Sequence, residues 1–204
     1  IVVGINVALW FESWFQDLQD AEIAERYLVD LRDDLQTDIR NLDRVITTGE
    51  EKLQQTAKII ELMPTFTDLS PEQQAQAIYI PPNYQFFVPS DFTYRSMQES
   101  GDFRLLRNTE IKKSILKLDR RHKDIGMIQK NYLQAMDDGY IPLMMNSFDI
   151  ATMTITDPAL LQDQLFRNFF VYTQQDTDTM VAMYRLAQSQ SEELVELIEE
   201  ELAE

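Results

Sequence analysis

The chain has 204 residues, 44% of them hydrophobic and 26% charged, and a formal net charge of −17. This composition fits a folded protein with a sizeable core and argues against wholesale disorder; the acidity repels nucleic-acid phosphates and anionic lipid head groups. The lack of cysteine excludes disulfides, thiolate nucleophiles and Cys-ligated metal centres, and the 5 glycines favour long helices over turn-rich sheets.

The first residues, Ile1-Val2-Val3-Gly4-Ile5-Asn6-Val7-Ala8-Leu9-Trp10-Phe11, carry no charge before Glu12. Eleven helical residues rise about 16 Å, roughly half a bilayer core. Trp10, Phe11, Trp14 and Phe15 follow where an aromatic belt meets the head groups. The run has no Met and is apolar from the outset, so an upstream apolar part of the helix is expected. Residues 1–16 then form the C-terminal part of a transmembrane helix, and residues 17–204 an extramembrane helical domain. A buried core helix and a secretory-signal remnant are the competing readings. The second lacks a small-residue cleavage site, because Glu12-Ser13-Trp14-Phe15 runs straight into an amphipathic pattern. Five acids precede the first base, Arg26, whereas cytoplasmic flanks are enriched in Lys and Arg. The body is therefore expected outside the cytoplasm.

From Asp17 to Met63 an apolar stripe of Leu28, Leu31, Leu35, Ile39, Leu42, Ile46, Leu53 and Ile60 predicts one long helix, weakened at Gly49. Ser70-Pro71-Glu72-Gln73 has the composition of a capping box with proline at the first helical position, so a short helix follows and ends before Pro81-Pro82. Residues 80–89 read as an extended connector whose Tyr84, Phe86 and Phe87 pack on the helices. Ser90-Asp91 caps a further short helix ending near Gly101. Asn108 or Thr109 opens a long one with a stripe of Ile111, Ile115, Leu118, Ile125, Ile128, Tyr132 and Met136. Asp138-Gly139 marks a break, and Tyr140–Thr156 is irregular. Thr156-Asp157-Pro158 then starts a last helix through Leu161, Leu165, Phe169, Tyr172, Met180, Tyr184, Ala187, Leu194 and Ile198. The expected fold is all-α: a membrane helix continuing into an elongated antiparallel helical bundle.

Residues 104–130 hold half of the 18 basic residues, and the tail from Glu192 is wholly acidic. The simplest account is intramolecular, a basic helix lying beside acidic ones. A nucleic-acid interface is disfavoured because the basic face lacks interleaved aromatics. The single histidine, His122, stands among cations and reads as a surface residue; one histidine excludes paired Glu-x-x-His ligation and the His-Glu-x-x-His zinc motif. Asp176-Thr177-Asp178 opens like a calcium loop but lacks the required Gly and terminal Glu. No phosphate loop or Gly-x-Ser-x-Gly occurs, and the carboxylate pairs read as a solvated face. No catalytic, cofactor-binding or metal-ligating residue is expected.

Three segments carry a resemblance: Val2-Val3-Gly4-Ile5-Asn6-Val7-Ala8-Leu9 with Trp10 and Trp14; Tyr27-Leu28-Val29-Asp30-Leu31-Arg32-Asp33-Asp34-Leu35-Gln36-Thr37-Asp38; and Ser100-Gly101-Asp102-Phe103-Arg104-Leu105-Leu106-Arg107-Asn108. They span roughly the first two-thirds of the chain. The pattern resembles bacterial single-span membrane proteins bearing a domain of unknown function, although the spacing around Gly4 is one residue tighter. The resemblance implies an inner-membrane anchor with a cytoplasmic N-terminus and a periplasmic helical domain, and it supplies no catalytic residues.

The expected function is a non-catalytic accessory or structural subunit that stabilises a large membrane complex, photosynthetic or respiratory assemblies being the expected hosts on abundance alone. Its expected partners are other membrane subunits and the bilayer, met by Trp10, Phe11, Trp14 and Phe15, with no nucleic acid, cofactor or small-molecule substrate. The alternative is a membrane-anchored sensor or ligand-binding module, its pocket formed by the Tyr79–Phe92 or Tyr140–Phe148 region. An enzyme comes third and requires buried carboxylates with displaced pKa values.

Overall fold

The structure, a computed structural model, describes residues 2–203, leaving aside the side chains of residues 2–9 and 11. It is mostly helical, and the all-α class holds. Helix α1 (Val2–Leu62) is unbroken, followed by α2 (Pro71–Ile78), α3 (Phe92–Ser100), α4 (Thr109–Ala135), α5 (Ile141–Ser147) and α6 (Gln164–Leu202). A short antiparallel hairpin, β1 (Phe148–Asp149) with β2 (Thr154–Ile155), separates α5 from α6.

Backbone contacts divide the chain into two compact units. The first comprises Ile1–Arg40, Pro89–Arg120 and Gln188–Glu204, and the second Asn41–Val88 and Arg121–Ala187. The core of the first unit is built from Leu28, Leu31 and Leu35 of α1, Met97 of α3, Ile111, Ile115 and Leu118 of α4, and Leu194 and Ile198 of α6. The core of the second is more aromatic, with Phe66, Phe87, Tyr132, Tyr140, Phe166, Phe170 and Tyr184 beside Leu42 and Ala187. Each fully buried side chain of this size contributes roughly 1.5–3 kcal/mol of hydrophobic free energy.

The long helices bury positions alternating three and four apart. On α1 these are Leu28, Leu31, Leu35, Asp38, Leu42 and Val45, then Lys52 and Thr56 after Gly49. On α6 they are Phe166, Phe170, Thr173, Thr177, Met180, Tyr184, Ala187, Ser191, Leu194 and Ile198. This is a heptad seam with polar side chains at several of its positions.

Local chemistry sets the boundaries. Ser70 and Gln73 form a reciprocal capping box at the start of α2. Gly101 ends α3 in the left-handed region at φ 80°, open to glycine without steric cost. The Asn108 side chain caps α4 by accepting from the N–H groups of Glu110 and Ile111.

Three boundaries differ from expectation. Asp138-Gly139 is no break: residues Met136–Tyr140 form a π-turn that carries the chain from α4 into α5. The backbone there passes so close to Phe169 that a Cβ on Gly139 would sit 2.6 Å from its ring. Asp157-Pro158 starts only a 3-10 turn, Pro158–Gln162, and α6 begins after Asp163, whose carboxylate accepts from the Leu165 N–H. Leu165 consequently faces outward, half exposed, instead of joining the stripe. The irregular segment from Tyr140 contains α5 and the hairpin, whose strands of two residues are too short to show alternation.

Candidate functional site

Trp10, Trp14 and Phe15 are all at least half exposed on α1, with Leu18 beside them. Phe11 lies in the same helix, and its side chain falls outside the described residues. Stepping back from Leu28 by four and three passes Ala24, Ala21 and Asp17 and arrives at Trp14 and Trp10. The face of α1 that is buried in the first unit thus continues, beyond that unit's last core residues, as exposed surface that is charged at Asp17 and aromatic at Trp14 and Trp10. Among the described residues no helix is long and apolar enough to cross a membrane.

Lys52 carries an arrangement that the composition of its helix does not announce. It lies on the buried seam of α1, where its ammonium donates to the carbonyls of Pro81 (2.9 Å) and Asn83 (2.7 Å) and to the Tyr132 hydroxyl (3.0 Å). Tyr132 in turn donates to the same Pro81 carbonyl at 2.6 Å. Three acceptors satisfy three ammonium protons, and the carbonyls of a proline-bearing connector are satisfied in return. Burial lowers the Lys52 pKa to about 7, with Asp176 of α6 opposing the fall. Burial likewise raises Asp176, which Lys52 opposes, and raises Tyr132. An amine titrating near neutrality is a nucleophile or proton carrier in the right surroundings. Here the adjoining cavity, lined by Gly49, Lys52, Tyr84 and Thr177 among others, measures about 20 Å³. That admits one water. The arrangement fastens the connector to α1 and α4.

A second polar node lies in the first unit. Asp38 of α1 accepts the N–H of Ser90 at 2.8 Å, and Asp34, one turn earlier, accepts the N–H of Thr93 at 3.2 Å. These two side chains supply from α1 what the start of α3 lacks locally. Asp91, expected to cap α3, makes no capping bond and pairs instead with Arg95. Burial raises the Asp38 pKa to about 6, against the lowering effect of Ser90.

The regions expected to frame a ligand pocket are largely filled. Tyr140 is fully buried and donates to the Ile78 carbonyl at 2.7 Å; Phe87 is buried, with its backbone carbonyl accepting from Gln129 at 3.1 Å. An open groove of about 370 Å³ runs over Arg44 and residues 85–88. A more apolar cleft of about 290 Å³ occurs in the first unit, between Ala21, Ala24 and Leu28 of α1, Leu105 and Leu106, and Leu202 of α6. Glu25, Arg107, Asn108 and Glu201 give it a polar rim, and Asn108 donates to Glu201 at 2.8 Å.

His122 departs from the surface reading. It is half-buried, with its ring edge-on to Phe87 at a centroid distance of 5.3 Å. Asp176, Thr177 and Asp178 sit inside α6, in no loop. Among the described residues no group of three or more His, Asp or Glu side chains is placed to hold a metal ion.

Comparison with protein-family models, curated proteins and solved structures finds no match.

Of the expected site residues, Trp10, Trp14 and Phe15 share one stretch of exposed helix. Lys52 and Asp38 were missed because charged residues on a helix ordinarily face water. The signal was present in the spacing: from Leu35, steps of three and four lead to Asp38, Leu42, Val45, Gly49, Lys52 and Thr56. Placing Ile39 and Leu53 on the stripe instead hid it.

Proposed function

We propose that the chain is a non-catalytic accessory subunit, held to a membrane through the start of α1, whose helical body docks on and steadies a large membrane complex such as a respiratory or photosynthetic assembly. The observation that carries this reading is the continuation of the buried α1 face into exposed Trp10 and Trp14. Indole rings favour the boundary between hydrocarbon and water, and equally favour packing against neighbouring spans. An unbroken helix links those rings to the core of the first unit, so anchoring fixes the body relative to its surroundings. The heptad seams of α1 and α6 support an antiparallel helical bundle as the body. The acidic stretch after Trp14 and the resemblance to bacterial single-span proteins support a periplasmic placement at the inner membrane.

Flotation of the full-length protein with phosphatidylcholine vesicles tests the anchor. The native protein floats, and replacing Trp10, Trp14 and Phe15 together by Ser weakens partition while the helical circular-dichroism signal stays. Unchanged partition would remove these residues from the contact.

The second reading, an anchored ligand-binding module, is favoured by the cleft beside Arg107 and Glu201, whose 290 Å³ lies at the lower end for small-molecule sites. A thermal shift with a small amphiphilic ligand, lost in Leu106→Trp, supports that reading over the first.

A further inference from the structure

Between Lys130 and Arg167 the chain carries Asp137, Asp138, Asp149, Asp157 and Asp163 and no Lys, Arg or His at all. This stretch contains the π-turn, α5 and the hairpin, all within the second unit. Its inward side chains, Tyr140, Met144 and Phe148, are buried. Four of its outward side chains are large and apolar as well. Ile141 and Met145, one helical turn apart on α5, are exposed, as are Ile150 and Met153 in the hairpin loop.

These four positions are joined structurally. The Ser147 carbonyl at the end of α5 accepts from the N–H groups of Thr156 (2.9 Å) and Asp157 (3.3 Å), so the returning strand is tied to the helix terminus. Tyr79, itself partly exposed, lies edge-on to Phe148 and donates through its hydroxyl to the Met153 sulfur at 3.6 Å. Met153 adopts φ 55°, the left-handed region that a side chain with a Cβ seldom occupies. The loop is set up for it: the Asp149 carboxylate accepts from the Ala151 N–H at 2.9 Å, fixing the turn before Met153. The residue that takes this uncommon conformation is 42% exposed.

Single exposed apolar residues are common and need no account. Here, however, four of them fall within one helix–hairpin segment, two are flexible methionines of the type that adaptable binding surfaces use, and the only charged residues that segment carries are acids. We propose that this face, centred on Met145, Ile150 and Met153, docks a basic amphipathic helix of a partner protein. The apolar side of that helix covers the methionine face, and its Lys and Arg rim meets the aspartates. The inference rests on the accessory-subunit reading and names the chemistry of one docking contact.

The test titrates the full chain, labelled at its methionine methyl carbons, with a synthetic Leu–Lys amphipathic helical peptide. The Met145 and Met153 signals are expected to shift, while Met127, exposed elsewhere in the second unit, stays in place. The double variant Met145→Glu/Met153→Glu is expected to bind about tenfold more weakly, with Leu186→Glu unaffected. The methyl readout uses native protein, so it holds even where the double variant folds poorly. Equal binding of a scrambled peptide of the same composition, or an equal shift at Met127, overturns the proposal as mere charge attraction. The same methyl shifts with phosphatidylcholine vesicles overturn it in favour of lipid. Co-migration of the chain with a large complex in membrane extracts is scored separately, so loss of this site and loss of the accessory-subunit reading give different results.

Discussion

The Lys52 ammonium of α1 and the Tyr132 hydroxyl of α4 lie 3.0 Å apart, and both donate to the carbonyl of Pro81. A connector with three prolines has few N–H groups with which to pair its own carbonyls, so two side chains from two helices do it instead. Lys52→Met is expected to leave the Asn83 carbonyl without its ammonium donor and to destabilise the protein by about 1–3 kcal/mol in urea unfolding.

The same residue predicts a pH slope. Burial lowers the folded Lys52 pKa to about 7 from the ordinary 10.5 that the unfolded chain keeps. Between these values the unfolded chain binds more protons, so the contribution of this group to stability rises with pH, by at most about 1.4 kcal/mol per unit. Urea midpoints measured from pH 7 to pH 9 should carry this rise in the native protein and lack it in Lys52→Met. Equal slopes would remove Lys52 as its source.

Asp38 predicts the opposite sign. Burial raises its folded pKa to about 6, above the ordinary 3.8. The folded state therefore binds more protons between these values, and stability from this group is lost as pH rises from about 4 to 6. Asp38→Asn keeps an acceptor for the Ser90 N–H and discards the buried charge. It should raise stability at pH 7 by on the order of 1–2 kcal/mol, whereas Asp38→Ala leaves that N–H without its acceptor and lowers it. The pair is read by thermal unfolding at pH 7 and pH 4.

Two glycines on one continuous stretch of helix and π-turn separate steric need from accident. A Cβ at Gly139 meets the Phe169 ring at 2.6 Å, while one at Gly126 meets nothing within 4 Å. Gly139→Ala should cost about 1–3 kcal/mol by overpacking. Gly126→Ala, in the interior of α4, should gain up to about 1 kcal/mol from helix propensity. Chemical denaturation of the two variants side by side decides it.

The long helices were legible in the sequence because apolar spacing is set by the period of the helix itself. The Ser70 box, Gly101 and Asn108 were legible because each cap needs a particular side chain or backbone freedom. The π-turn was not: a Gly between an Asp and a Tyr reads as a stop until Phe169 shows why the helix path needs the missing Cβ. The hairpin escaped because two residues per strand carry no period. The polar seam at Asp38, Lys52 and Thr173 escaped because only tertiary partners, the Ser90 N–H and the Pro81 carbonyl among them, explain charge or hydroxyl at a core position.

The central claim is that the exposed aromatic start of α1 and the helical body serve a membrane complex. It is tested most directly by gentle detergent extraction of the native membrane, size separation and mass spectrometry for this chain. The account predicts co-migration with one large complex at fixed stoichiometry. Migration alone, as a small monomer or homo-oligomer, would contradict it and bring the cleft beside Arg107 to the front.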